Sequence, residues 1–110
     1  MKKTLAAAAV ILTLGTATVS RAEVTMIATP DCGTWLSSSN TPVSALKSWL
    51  AGYLSGLNAA VGDAKHDPLE KLSSANQVFA WMDNYCRANP LKMVSDGGAQ
   101  LYLELKNGKR

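Results

Sequence analysis

The sequence predicts an all-α fold: a small bundle of about four helices stapled by one disulfide, formed by residues 23–110. Three observations carry that expectation. Apolar side chains recur at three- and four-residue steps in three long segments, the spacing of a helix face. Cap and stop residues bracket those segments, while no convincing strand, hairpin or repeat appears. Finally, the chain has two cysteines, Cys32 near the start of the mature chain and Cys86 in its C-terminal half.

Residues 1–22 read as a signal peptide. Met1-Lys2-Lys3 is basic, Leu5 to Val19 is apolar and rich in alanine, and Ser20-Arg21-Ala22 places small residues at the −3 and −1 positions of a cleavage site. The mature chain then starts at Glu23, outside the cytoplasm. An uncleaved anchor is the alternative, but the apolar run falls short of the ~20 residues that span a bilayer. No stable membrane span is expected after cleavage.

Removing the leader changes the charge. Of eleven basic residues, Lys2, Lys3 and Arg21 leave with it, whereas all eight acidic residues lie further on. The mature chain is therefore close to neutral, and the basic pI belongs mostly to the leader. No basic field or cluster remains to attract nucleic acid.

Two cysteines in an exported chain read as one disulfide, with free thiols or a metal pair as the competing readings. Closing the loop from Cys32 to Cys86 destabilises the unfolded chain by roughly 4 kcal/mol in the chain-entropy model. For so small a body that is a large contribution.

The elements follow in order. Thr29-Pro30-Asp31-Cys32 opens a short first helix capped by Asp31, with Trp35 and Leu36 on its buried side. Ser37 to Asn40 is a polar linker. Thr41-Pro42 starts the first long helix, a cap followed by proline at the first helical position. Its stripe is Val43, Leu46, Leu50, Tyr53, Leu54 and Leu57, with Trp49 beside it. So broad a stripe predicts a helix largely surrounded by others. Gly52 and Gly56 share one side, where a close helix contact is expected. Polar neighbours such as Lys47 and Asn58 argue against a lipid-facing dimer motif. Gly62 is the stop.

Asp63 to Asp67 is a polar connection, and Asp67-Pro68-Leu69-Glu70 signals a short helical turn. Ser74-Ala75-Asn76-Gln77 starts the helix that carries Cys86, with Val78, Phe79, Met82, Tyr85 and Cys86 inward and Trp81 to one side. Asn89-Pro90 stops it and opens the last helix, whose stripe is Leu91, Val94, Leu101, Tyr102 and Leu105. Gly97-Gly98 interrupts that stripe. Either the helix bends there, or a neighbour packs too closely for side chains. Asn107 to Arg110 is a basic tail.

Little in the chain marks catalysis. Asp63, His66 and Asp67 have a metal-like composition but loose spacing, so a solvated loop is the expected reading. His66 could titrate between pH 5 and 8, but a surface histidine without a task is the ordinary case. No serine sits in a Gly-x-Ser-x-Gly turn, a single histidine limits triads, and no glycine-rich loop follows a strand. Asp83 and Glu104 are expected on exposed faces, and most aromatics in the core. The expectation is a non-enzyme without cofactor or metal, binding proteins.

Taken together, the signal peptide, the cysteine opening a short helix, Gly52-Tyr53-Leu54-Ser55-Gly56 in the central helix and a second cysteine before a final amphipathic helix resemble the HdeA/HdeB family of periplasmic acid-stress chaperones. Asn84-Tyr85-Cys86-Arg87-Ala88-Asn89-Pro90 carries the closest local similarity. The resemblance implies a Cys32–Cys86 disulfide, a homodimer at neutral pH, and an acid-loosened state that holds unfolded periplasmic clients and prevents their aggregation. Trp35, Trp49, Tyr53 and Phe79 are the candidate client contacts. Below about pH 3 carboxylates are mostly protonated while basic groups stay charged, so self-repulsion would strain the body. The chain has fewer lysines than those chaperones, notably in the last helix. The layout is also similar to the Tai and Rap immunity proteins of type VI secretion, which implies the alternative of binding one toxin at neutral pH; many of those have further cysteines absent here.

Overall fold

The computed structural model describes residues 24–37 and 43–108. The leader with its cleavage site, Ser38 to Asn40 of the linker, the Thr41-Pro42 cap, the side chain of Val43, and Lys109-Arg110 lie outside the described residues. Four helices follow one another: α1 (Cys32–Leu36), α2 (Val43–Val61), α3 (Ala75–Ala88) and α4 (Val94–Lys106), with a 3-10 turn at Pro68–Lys71 between α2 and α3. Among the described residues only two isolated bridges, Asp31 with Met93 and Asp63 with His66, have β character. The fold is a small all-α bundle joined by the Cys32–Cys86 disulfide.

Local chemistry accounts for most boundaries. Asp31 caps α1 by accepting the Thr34 amide at 2.6 Å, satisfying a donor the first turn leaves free. The start of α1 is also tied to the start of α4. The Cys32 amide donates to the Lys92 carbonyl and the Val94 amide to that of Pro30, each at 2.9 Å. Trp35 is buried, but Leu36 is 41% exposed, which corrects the expectation of two buried side chains. A five-residue helix presents one narrow inner face, filled by Cys32 and Trp35, and adjacent residues do not share a face.

Leu46, Leu50 and Leu54 form the buried edge of α2, while Trp49 and Leu57 pack partly buried against it. Here the broad stripe misleads. Among the described residues the helix packs through that edge, and Trp49, Tyr53 and Leu57 on its flank are only partly buried. The helix ends where the Gly62 amide donates to the Asn58 carbonyl at 2.7 Å. Asn58 also joins three elements: its amide donates to Asp67 at 2.8 Å and its side-chain oxygen accepts from the Tyr102 hydroxyl at 3.1 Å. Asp67 caps the 3-10 turn through the Leu69 amide, and the Lys71 ammonium donates to the Leu105 carbonyl near the end of α4.

α3 starts at Ser74 as its cap, without a bond from the serine hydroxyl; instead Gln77 accepts the Ser73 amide at 2.7 Å. Val78, Met82, Tyr85 and Cys86 are buried, and Phe79 is half-buried. Asn89 closes the helix by donating to the Tyr85 carbonyl through both backbone and side chain. The last helix does not begin at Pro90 as the sequence suggests. Pro90 to Met93 is a turn that pairs with the start of α1, and Leu91 is 98% exposed. α4 begins at Val94, where the Asp96 carboxylate accepts the Met93 amide at 3.0 Å. The two readings of Gly97-Gly98 resolve toward close packing. A Cβ at Gly97 would lie 2.7 Å from the Tyr85 ring, and one at Gly98 3.0 Å from that of Tyr53.

Burial raises the pKa of the Tyr85 and Tyr53 hydroxyls above the ordinary tyrosine range, and the nearby Asp96 charge adds to it. Unfolded tyrosines ionise near pH 10, whereas these resist. The folded state then holds more protons than the unfolded one, so stability falls as pH rises above about 10. Denaturant melts at pH 8 and 10.5 are expected to show that loss, and Tyr85→Phe to reduce its slope. An equal slope in the variant would refute the assignment.

Candidate protein-binding face

The four candidate contact residues fall into two groups. Trp49 and Tyr53 stack on the open side of α2, with ring centroids 5.4 Å apart and planes 8° from parallel. Together with Val24, Met26, Ile27 and Leu57 they line an apolar groove of about 670 Å³. Its floor is Gly52 and Gly56, where an added Cβ meets no atom within 4 Å. The close helix contact expected at these glycines is therefore absent among the described residues. Helical spacing put both on one face, but spacing alone does not say whether a neighbour covers it. The Trp49 indole N–H donates to the Ile27 carbonyl at 3.1 Å, joining the second wall of the groove to α2.

Trp35 and Phe79 lie elsewhere, where α1 meets α3, with centroids 6.4 Å apart. Lys47 places its ammonium 5.0 Å from the Phe79 ring centre, a cation–π contact. Trp35 is buried and contacts an outside chain only if α1 lifts away. Val24, Met26 and Ile27 belong with the site although the sequence pattern did not single them out. Their signal was an apolar cluster shortly after the expected leader.

Asp83 and Glu104 are not on idle surfaces. Asp83 accepts the Trp35 indole N–H at 2.8 Å, joining α1 to α3, and Glu104 accepts that of Trp81 at 3.1 Å, joining α3 to α4. Both carboxylates are half-buried. Asp31, Asp67 and Asp96 likewise accept amide hydrogens at helix or turn starts. Among the described residues, no carboxylate pairs with lysine or arginine within 4.0 Å; the ionic contact present is exposed His66 with Asp63 at 3.2 Å. The Lys65 amide beside Asp63 holds that carboxyl below its usual range, with His66 contributing less. Asp67 turns from this pair toward Asn58, and no group of three metal-ligating side chains stands together among the described residues.

No described helix is long and apolar enough to cross a membrane. The geometry offers an open aromatic groove and a set of carboxylate-held helix joints. Compared with family models, curated proteins and solved structures, the chain matches none.

Proposed function

We propose that this chain is an exported, non-catalytic protein-binding protein of the cell envelope, acting as an acid-activated holdase on unfolding periplasmic proteins. The observation that carries this reading is the uncharged groove on α2, lined by the half-buried rings of Trp49 and Tyr53 beside exposed Val24 and Ile27. Exposed apolar patches of this kind mark sites of protein contact. Self-repulsion supports the acid dependence, because in acid carboxylates are neutralised while basic side chains stay charged, and the disulfide limits expansion. A hydrogen bond to a charged acceptor contributes about 1 kcal/mol more than one to a neutral acceptor. Neutral acceptors in place of Asp83 and Glu104 would thus weaken the joints that hold Trp35 and Trp81.

Client aggregation followed by light scattering at pH 2 to 3 and at pH 7 tests this. Protection in acid is expected. The variant Asp83→Asn/Glu104→Gln, whose acceptors are neutral at every pH, should protect at a higher pH than the parent. No protection at either pH removes the proposal. An unshifted pH profile in the variant removes the role of the two joints.

A second reading rests on the groove being open in the folded state. A partner could then bind without any loosening, as an immunity protein binds its toxin. Tight binding of one partner at pH 7, with no protection of clients in acid, would favour that reading.

A further inference from the structure

Residues 24–29 run beside α2 with few ties. Among the described residues they make no backbone–backbone hydrogen bond, and their bond to the Trp49 indole is the one described above. Beyond them Pro30 is anchored by the Val94 amide. Between tether and anchor, Ile27 and Ala28 form a turn, in which Ala28 has φ 58°, a left-handed conformation that such turns use and that costs a residue with a Cβ. Val24 is 79% and Ile27 86% exposed, facing water next to an open apolar groove.

We propose that Val24–Ile27 is a strap that closes over Gly52 and Gly56, making this segment the groove's own occupant. The observations converge on an intramolecular partner. The strap and the groove lining carry no charged side chain, so closure leaves no charge unpaired. The glycine floor has room for a backbone, since a Cβ added at either glycine would have no neighbour within 4 Å. Four extended residues reach about 13 Å, and glycines four apart in a helix are about 6 Å apart, so the strap spans both. Closing removes the apolar surface of both walls from water. Its consequence for clients rests on the groove being the protein-binding face: the closed strap then competes with them.

Two measurements on the whole protein test this. In NMR spectra at pH 7, nuclear Overhauser contacts are expected between the methyl groups of Val24 and Ile27 and the α protons of Gly52 and Gly56. Their absence overturns the strap, whatever the client assay gives. Contacts found only between differently labelled copies also overturn it, since a second molecule would be the occupant. In the second measurement, Val24→Ser/Ile27→Ser, both at exposed positions, is titrated with the apolar dye anilinonaphthalene sulfonate. If the groove is closed most of the time, the variant binds dye roughly 5- to 10-fold more tightly than the parent. Equal or weaker binding counts against closure. A client assay that fails while the methyl contacts are present removes the proposed function and leaves the strap standing.

Discussion

Replacing Cys32 and Cys86 with alanine is expected to lower the unfolding free energy by about 4 kcal/mol, the larger of the two main effects expected for this chain. The link joins residues 54 apart in sequence, so the unfolded chain loses much of its freedom when it is closed. In the folded state both cysteines are fully buried, and alanine leaves only a small space. Small domains are stabilised by about 5–15 kcal/mol in total, so the variant should sit near the limit of folding. Its thermal midpoint should fall by on the order of 20 °C. The helices need not separate at low temperature. Two backbone bonds and the Trp35–Asp83 contact still hold α1 in place. Helical circular dichroism at 10 °C with an early, cooperative melt is therefore the expected pair of results. A loss below about 1 kcal/mol would mean that the unfolded ensemble is already compact around these residues. Burial also predicts that a thiol reductant acts on the parent no faster than the fold opens.

The features read correctly from sequence are those decided within a few residues. Asp31 before Cys32, Asp67-Pro68 and, as the stop of α3 though not as the start of α4, Asn89-Pro90 are short-range signals, because a cap or a proline acts on the backbone beside it. Periodicity likewise placed Val78, Met82, Tyr85 and Cys86 on one side of α3, since only the helix repeat was needed. What the sequence left open depends on which elements meet. Trp35 and Asp83 are 48 residues apart and Trp81 and Glu104 are 23 apart, and no local pattern announces that an indole will find a carboxylate. Leu91 fitted the last stripe, yet the turn at Pro90 is claimed by pairing with the start of α1. The two glycine pairs show the same limit from opposite sides. Gly52 and Gly56 looked suited to a close contact and have none among the described residues, whereas Gly97 and Gly98, left between two readings, are pressed by α3 and α2.

That contrast sets the second large expected effect, which is at Gly97. An alanine Cβ there would stand 2.7 Å from Tyr85 Cδ1, 2.8 Å from Met82 Sδ and 2.9 Å from Met82 Cε. Met82 is fully buried and has little space to retreat into. The Tyr85 ring stacks on Trp81 at 5.3 Å, and Trp81 is bonded to Glu104 on α4 itself, so moving the ring disturbs the same interface. Removing a glycine from a helix interior stabilises by about 1 kcal/mol, but overpacking costs about 1–3 kcal/mol. Gly97→Ala should therefore destabilise by about 1 kcal/mol net, and Gly97→Leu by about 3 kcal/mol or more. At Gly52 an added Cβ meets nothing, so Gly52→Ala should be neutral or stabilising by up to about 1 kcal/mol. Chemical denaturation of the three variants gives the comparison. Met82→Ala alone should cost about 2–5 kcal/mol, and combined with Gly97→Ala it should cost less than the sum, because the new methyl enters the space the methionine leaves. Equal stabilisation by Gly97→Ala and Gly52→Ala would mean that α4 does not seat its glycines against α3, and the packing of the bundle described above would have to be abandoned.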